Sequence, residues 1–243
     1  MQLVIDGLLT HYETVGQKEN PVLLILHGWK RSFAEWLPTA KILSQKYFVV
    51  LLDLPGFGQT ALPKTDFSIY DYADFTEKFL QKMEIKKVNL LGHSFGGRIG
   101  ILLGAKTHLI DKLILVDAAG VEKRSIAAKI KTKLFVFLKV FLPNSFVEKL
   151  RDRFGSVDYK TAGNLRTIFV KVINADLTYL LPKIAAPTLI IWGNKDTEIL
   201  KWKIKLMQQK IPQNKVRVVW GAGHDPHLEK PKDFLAVLEE ELV

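Results

Sequence analysis

The sequence predicts an α/β fold in which a mainly parallel, eight-stranded sheet is flanked by helices and interrupted by one inserted module. Three observations point there. Short apolar runs rich in Val, Ile and Leu alternate with longer stretches of helical periodicity, the pattern of strands covered on both faces. The 243 residues suit one sizeable core with an insertion better than a tandem array, at about 150 residues per domain. The charge is uneven: of a net +10, residues 119–186 carry +8, and this block is the least strand-like part of the chain.

Leu3–Ile5 and Thr10–Glu13 flank Asp6-Gly7, a pair suited to the tight turn of an opening hairpin. VLLIL at 22–26, YFVVLLD at 47–53, VNLLG at 88–92, KLILVD at 112–117, TLIIW at 188–192 and VRVVW at 216–220 supply six further strands. Helices are expected around Trp36–Leu43, Tyr70–Met83, Phe95–Ala105, Lys201–Lys210 and Asp233–Leu242. Strands that alternate with helices pair in parallel through crossover connections. Residues 1–118 and 187–243 then form the core, and 119–186 the insertion.

Composition narrows the chemistry. Cysteine is absent, which removes disulfides, thiolate nucleophiles and Cys-based metal centres. Hydrophobic residues reach 48%, enough for a buried core and too many for a disordered or fibrous chain. The opening residues lack a basic stretch followed by a long apolar one, and no run reaches the roughly 18 apolar residues of a membrane span. No transmembrane segment is expected, and the cytoplasm is the expected compartment.

Gly92-His93-Ser94-Phe95-Gly96-Gly97 lies between a strand and a helix. A serine on so tight a turn needs glycine at 92 and 96, because side chains there would meet backbone, and the turn strains Ser94 so that its hydroxyl points outward. The helix that follows turns its first N–H groups toward any negative charge developing beside Ser94. A nucleophilic serine also needs a base and an orienting acid. Asp196 follows the TLIIW strand and His224 follows the VRVVW strand, so both stand at the carboxyl edge of the sheet, where open α/β sheets form their crevices. Asp117, at the end of the strand before the insertion, is a rival acid.

In order, His27-Gly28-Trp29, Asp53-Leu54-Pro55-Gly56-Phe57-Gly58, the Ser94 turn, Trp192 to Asp196 and GAGHDPHLEKP at 221–231 resemble the α/β-hydrolase superfamily, particularly its small esterase and lactonase-like members. The resemblance implies that residues 119–186 form a helical cap, or lid. It implies that Ser94 attacks an acyl carbon, His224 accepts its proton and Asp196 orients the imidazole. The backbone N–H groups of Trp29 and Phe95 are then the oxyanion donors. The expected activity is hydrolysis of small to medium carboxylic esters through an acyl-enzyme, with no metal or organic cofactor. Serine at the elbow argues against the branches that use an aspartate nucleophile. A lactone hydrolase of the acyl-homoserine-lactone type and an esterase for a carrier-bound acyl group are alternatives within the class. A hydrolase-like small-molecule receptor is the non-enzymatic one.

Within the insertion, Ile126, Ile130, Leu134, Phe137 and Phe141 recur at helical spacing, with Lys129, Lys131, Lys133 and Lys139 off the stripe. The reading is a lid helix over the acyl site, with Leu134 and Phe137 lining the substrate pocket. The same basic helix would suit an acidic carrier protein or an anionic surface. Nucleic acid is not an expected partner, since no recognition motif or interleaved aromatic patch accompanies the charge. His27 and His93 read as loop-bracing groups, Asp53 as a brace for the loop from Pro55 to Gly58, and His11 and His108 have no partner pattern. A metal set of His224, His227 and Glu229 is set aside because Pro226 disfavours the helix that would gather it.

Overall fold

The structure, a computed structural model, describes residues 1–122 and 162–242. Its centre is one eight-stranded sheet in the order β1-β2-β4-β3-β5-β6-β7-β8. The strands are β1 (Gln2–Ile5), β2 (Leu8–Val15), β3 (Val22–Leu26), β4 (Phe48–Leu52), β5 (Val88–His93), β6 (Ile110–Val116), β7 (Thr188–Gly193) and β8 (Asn214–Val219). β1 and β2 pair antiparallel, as do β2 and β4; every later pairing is parallel. The sequence pattern follows from burial. β3, β4 and β7 are covered on both faces and read as unbroken apolar runs, whereas β2, nearer an edge, alternates buried with more accessible residues. Asp6 and Gly7 both take positive φ, 48° and 76°, which closes the β1–β2 hairpin tightly.

Helices α1 (Leu37–Leu43), α2 (Ile69–Lys82), α3 (Phe95–Lys106), α4 (Arg166–Ile173), α5 (Lys201–Lys210), α6 (Pro226–Glu229) and α7 (Pro231–Leu242) surround the sheet among the described residues. One core lies on the α2, α3 and α5 side, around Tyr72, Phe79, Leu90 and Met207. The other lies on the α1 and α7 side, around Trp36, Ile114, Phe234 and Leu238. A capping box opens α2: Ser68 Oγ accepts from the Asp71 N–H, and the Asp71 carboxylate accepts from the Ser68 N–H.

The structure differs from the sequence reading in three places. A 3₁₀ turn over Phe33–Trp36 leads into α1, which starts after Trp36 because Pro38 suits the first turn of an α-helix. β8 ends at Val219, leaving Trp220 74% exposed beyond the ladder. Pro226 and Pro231 begin helices, since a first-turn proline forfeits no intrahelical bond; the expectation that Pro226 breaks a helix is therefore wrong. Between β6 and β7 an inserted helical region carries α4 and a 3₁₀ turn over Thr178–Lys183 that packs on α3. The stripe with Leu134 and Phe137, and Lys129, Lys131, Lys133 and Lys139, lie outside the described residues.

Candidate active site

The site grows from the carboxyl ends of β3, β5, β7 and β8. Ser94 follows β5 directly and sits at φ 47°, ψ −102°, a conformation few side-chain-bearing residues adopt. What holds it there is crowding: a Cβ on Gly96 would lie 2.3 Å from the Leu26 carbonyl oxygen, so α3 approaches β3 more closely than any other residue permits. Ser94 N–H donates to the Val116 carbonyl, and the Ser94 carbonyl accepts from the Gly97 and Ala119 N–H groups.

Two loops meet this turn. His224 Nε2 lies 2.9 Å from Ser94 Oγ, and His224 Nδ1 lies 2.8 Å from Asp196 Oδ2. The acid is over-determined: Asp196 Oδ1 also accepts from the backbone N–H groups of Glu198, at 2.7 Å, and Ile199, at 3.0 Å. Burial works to raise the Asp196 pKa, but the hydrogen bond and charge of His224 and those two N–H groups outweigh it and hold the carboxyl below its ordinary range. Burial likewise opposes charging of His224. The hydrogen bond and charge of Asp196, joined by Glu198 and Asp225, nevertheless raise its pKa above the usual imidazole value. Chemically, a serine hydroxyl bonded to an imidazole that a carboxylate holds in one tautomer has a path for its proton.

Trp29 and Phe95 both line the cavity beside Ser94. Their rings pack edge to face at 5.3 Å, and Phe169 of α4 closes on Trp29 at 5.1 Å. Together with Ser94, Val172 and Ile199 these rings wall a cavity of about 450 Å³. Arg98, Glu122, Asn174 and Lys203 add polar groups to its lining. Among them, Lys203 Nζ donates to Glu122 Oε1 at 3.0 Å. The buried Nε1 of Trp29, which no motif singles out, has no partner among the described residues.

His27 and His93 brace loops. His27 Nε2 accepts from the Leu54 N–H at 3.0 Å and its Nδ1 donates to the Gly28 carbonyl at 2.7 Å; burial lowers its pKa. His93 Nε2 donates to the His224 carbonyl at 2.9 Å, which ties the serine turn to the histidine loop. Burial, followed by the charges of His227 and His224, keeps His93 neutral. Asp53 accepts from the Phe33 and Gln59 N–H groups, both at 2.9 Å, and faces His11 Nδ1 at 3.1 Å, a partner that the sequence pattern did not reveal.

The set of His224, His227 and Glu229 does not assemble. The His224 ring is engaged by Ser94 and Asp196, while Glu229 accepts from the Gly223 and Asp225 N–H groups. A different group does come together: Glu35, His93 and His227 offer ligand atoms within 4.8 Å of one another. His227 Nε2 lies 3.7 Å from Glu35 Oε1, and the His227 ring stacks on Trp36 at 3.9 Å.

Comparison with known proteins agrees with this architecture. A family model described as the alpha/beta hydrolase fold matches residues 21–136. An uncharacterized hydrolase of Bacillus subtilis is 25% identical over 95% of this chain and 93% of its own. A monoacylglycerol lipase of Mus musculus is 27% identical over 89% of this chain and 76% of its own. Among solved structures, a membrane phospholipase A described as a bacterial virulence factor superposes with a TM-score of 0.81 at 27% identity, covering 100% of this chain and 84% of that one. The chain has the α/β-hydrolase superfamily fold with an inserted helical region, and it is related to small bacterial lipases, esterases and other hydrolases.

Proposed function

We propose that the protein is a serine hydrolase of carboxylic esters, with Ser94 as nucleophile, His224 as general base and Asp196 as the acid that orients it. The observation that carries this reading is the hydrogen-bonded line from Ser94 Oγ through His224 to Asp196, opening on the cavity walled by Trp29, Phe95 and Phe169. Ser94 Oγ attacks the acyl carbon as its proton passes to His224 Nε2. The tetrahedral oxyanion is met by the N–H groups of Trp29 and Phe95, each contributing on the order of 3 kcal/mol to the lowered barrier. The imidazolium then protonates the departing alcohol. Water, activated by the same imidazole, releases the acid from the acyl-Ser94 ester. These steps ask for no cofactor.

The apolar wall suits an acyl chain of small to medium length. The relatives named for lipids support a lipid-like or simple acyl ester, and a lactone is the same bond closed into a ring. The test is a turnover panel of nitrophenyl esters graded by chain length, with acyl-homoserine lactones and a monoacylglycerol alongside. Turnover that peaks at one chain length and disappears in Ser94→Ala is the expected result. Absence of ester and lactone turnover, with saturable binding of the same compounds, would replace the enzyme with a receptor.

A further inference from the structure

A second carboxyl stands directly behind the acid of the site. Asp117 follows the end of β6 and Asp196 follows the end of β7, and β6 and β7 are neighbours in the sheet. The two side chains are within hydrogen-bonding reach of each other. Asp117 is wholly buried and holds a left-handed backbone, φ 39°, that the packing around it must maintain. Among the described residues both its oxygens face one backbone donor, the Gly193 N–H, at 3.1 and 3.3 Å. Asp196, in contrast, takes two backbone N–H groups and the His224 imidazole. Two carboxyls in contact and out of water cannot both ionise, and the one with more donors keeps the charge.

We propose that Asp117 is a neutral carboxylic acid whose O–H donates to the Asp196 carboxylate, making it a positioning residue that holds the acid of the site from behind; this rests on the Ser94–His224–Asp196 reading. With that added donor Asp196 is tied from the sheet side as well as from its own loop. It cannot swing from His224 Nδ1, and it is a poorer acceptor of the imidazole proton. His224 therefore keeps its Nδ1 proton and presents the Nε2 lone pair to Ser94. Burial is the main influence that keeps Asp117 protonated, and the Asp196 charge adds to it.

The proposal predicts opposite results for two substitutions at one position. In Asp117→Asn the side-chain oxygen still accepts from Gly193 and the amide still donates to Asp196, and asparagine tolerates the left-handed backbone. Its kcat/KM is expected within about threefold of wild type, with the acid limb of the pH profile unmoved. Asp117→Ala loses the donor and is expected to lose on the order of 10- to 100-fold in kcat, with KM nearly unchanged. Carbon-13 NMR of protein labelled at the aspartate carboxyls reads the proton directly and needs no turnover. One resonance should stay at the protonated position through neutral pH in wild type and vanish in Asp117→Asn.

The proposal is overturned if all aspartates are ionised at neutral pH. It is also overturned if Asp117→Asn moves the acid limb downward, the sign of a removed negative charge, or if Asp117→Ala matches wild type. Should Asp117→Ala not fold, the NMR measurement and Asp117→Asn decide alone. Ser94→Ala, assayed in parallel, separates the two readings. If it turns over normally the Ser94 assignment fails and takes the role of Asp117 with it, whereas its inactivity beside an ionised Asp117 rejects only the present proposal.

Discussion

At the scale of single residues, the account assigns one task to each group around Ser94, and the tasks differ in magnitude. Ser94→Ala is expected to cost about 10⁶ in kcat and His224→Ala a similar factor, since neither can act alone. Asp196→Asn should cost on the order of 10⁴, because the imidazole is then held in the wrong tautomer. Steady-state turnover of each folded variant on one ester checks the order. Equal losses for Asp196→Asn and Asp117→Asn would contradict it. The pH profile follows from the raised pKa of His224. The base acts only when neutral, so kcat/KM should rise with pH to a midpoint above the ordinary imidazole value of 6.5. Glu198, whose carboxylate lies 3.6 Å from His224 Nε2, contributes to that elevation. Glu198→Gln should therefore lower the midpoint, and an unmoved or raised midpoint would exclude the interaction. Ser94, Asp196 and His224, which the structure brings into hydrogen-bonding contact, stood out in the sequence because each sits in a short, glycine-marked turn at a strand end. The contact between Asp117 and Asp196 was not, because it joins strands separated by the whole insertion, and the two looked like rivals for one role. His11 was opaque for the same reason: Asp53 lies 42 residues away along the chain.

At the scale of elements, the positions of the reactive groups depend on how closely backbones approach. β5, the Ser94 turn and α3 form one unit, pressed against β3 through Gly96. A methyl group there meets the Leu26 carbonyl, which belongs to a central strand and has little room to give. Gly96→Ala is expected to lower stability by about 2 kcal/mol, roughly 4–8 °C in Tm for a chain of this size. It should also slow turnover, because the displaced turn carries Ser94. Thermal unfolding and kcat measured on the same preparation check this, and an unchanged Tm would show that α3 does not press on β3. The strands were legible as elements because burial on both faces removes polar residues from them. The ends were less so. Proline was read as a breaker before His227, where the structure uses it at the first turn of α6, a position at which its missing N–H costs nothing. The stacked pair of Trp36 and His227 had no signal in the sequence, since periodicity describes one element and that contact joins two.

At the scale of the whole molecule, the groups proposed to react stand at the carboxyl edge of the sheet, and α4 contributes Phe169 and Val172 to the cavity there. Phe169→Ala should shift the preferred acyl chain length, by about 0.8 kcal/mol in transition-state binding for each methylene that gains or loses cover. Small esters should be affected least. A chain-length profile identical to wild type would remove α4 from the acyl wall. No helix among the described residues is long and apolar enough to cross a membrane. The concentration of positive charge in residues 119–186 can nevertheless be tested with salt. If it draws an anionic surface or carrier to the cavity, turnover of an ester presented there should fall as salt shortens the Debye length from about 10 Å at 0.1 M to about 3 Å at 1 M. Turnover of a small neutral ester should hold. All of this depends on Ser94 forming a covalent bond with substrate, and one measurement addresses that directly: rapid-quench mass spectrometry of the protein mixed with a nitrophenyl ester. The account predicts a transient acyl adduct that maps to Ser94 in wild type and is absent, with turnover, from Ser94→Ala. An adduct on another residue, or wild-type turnover by folded Ser94→Ala, would contradict it.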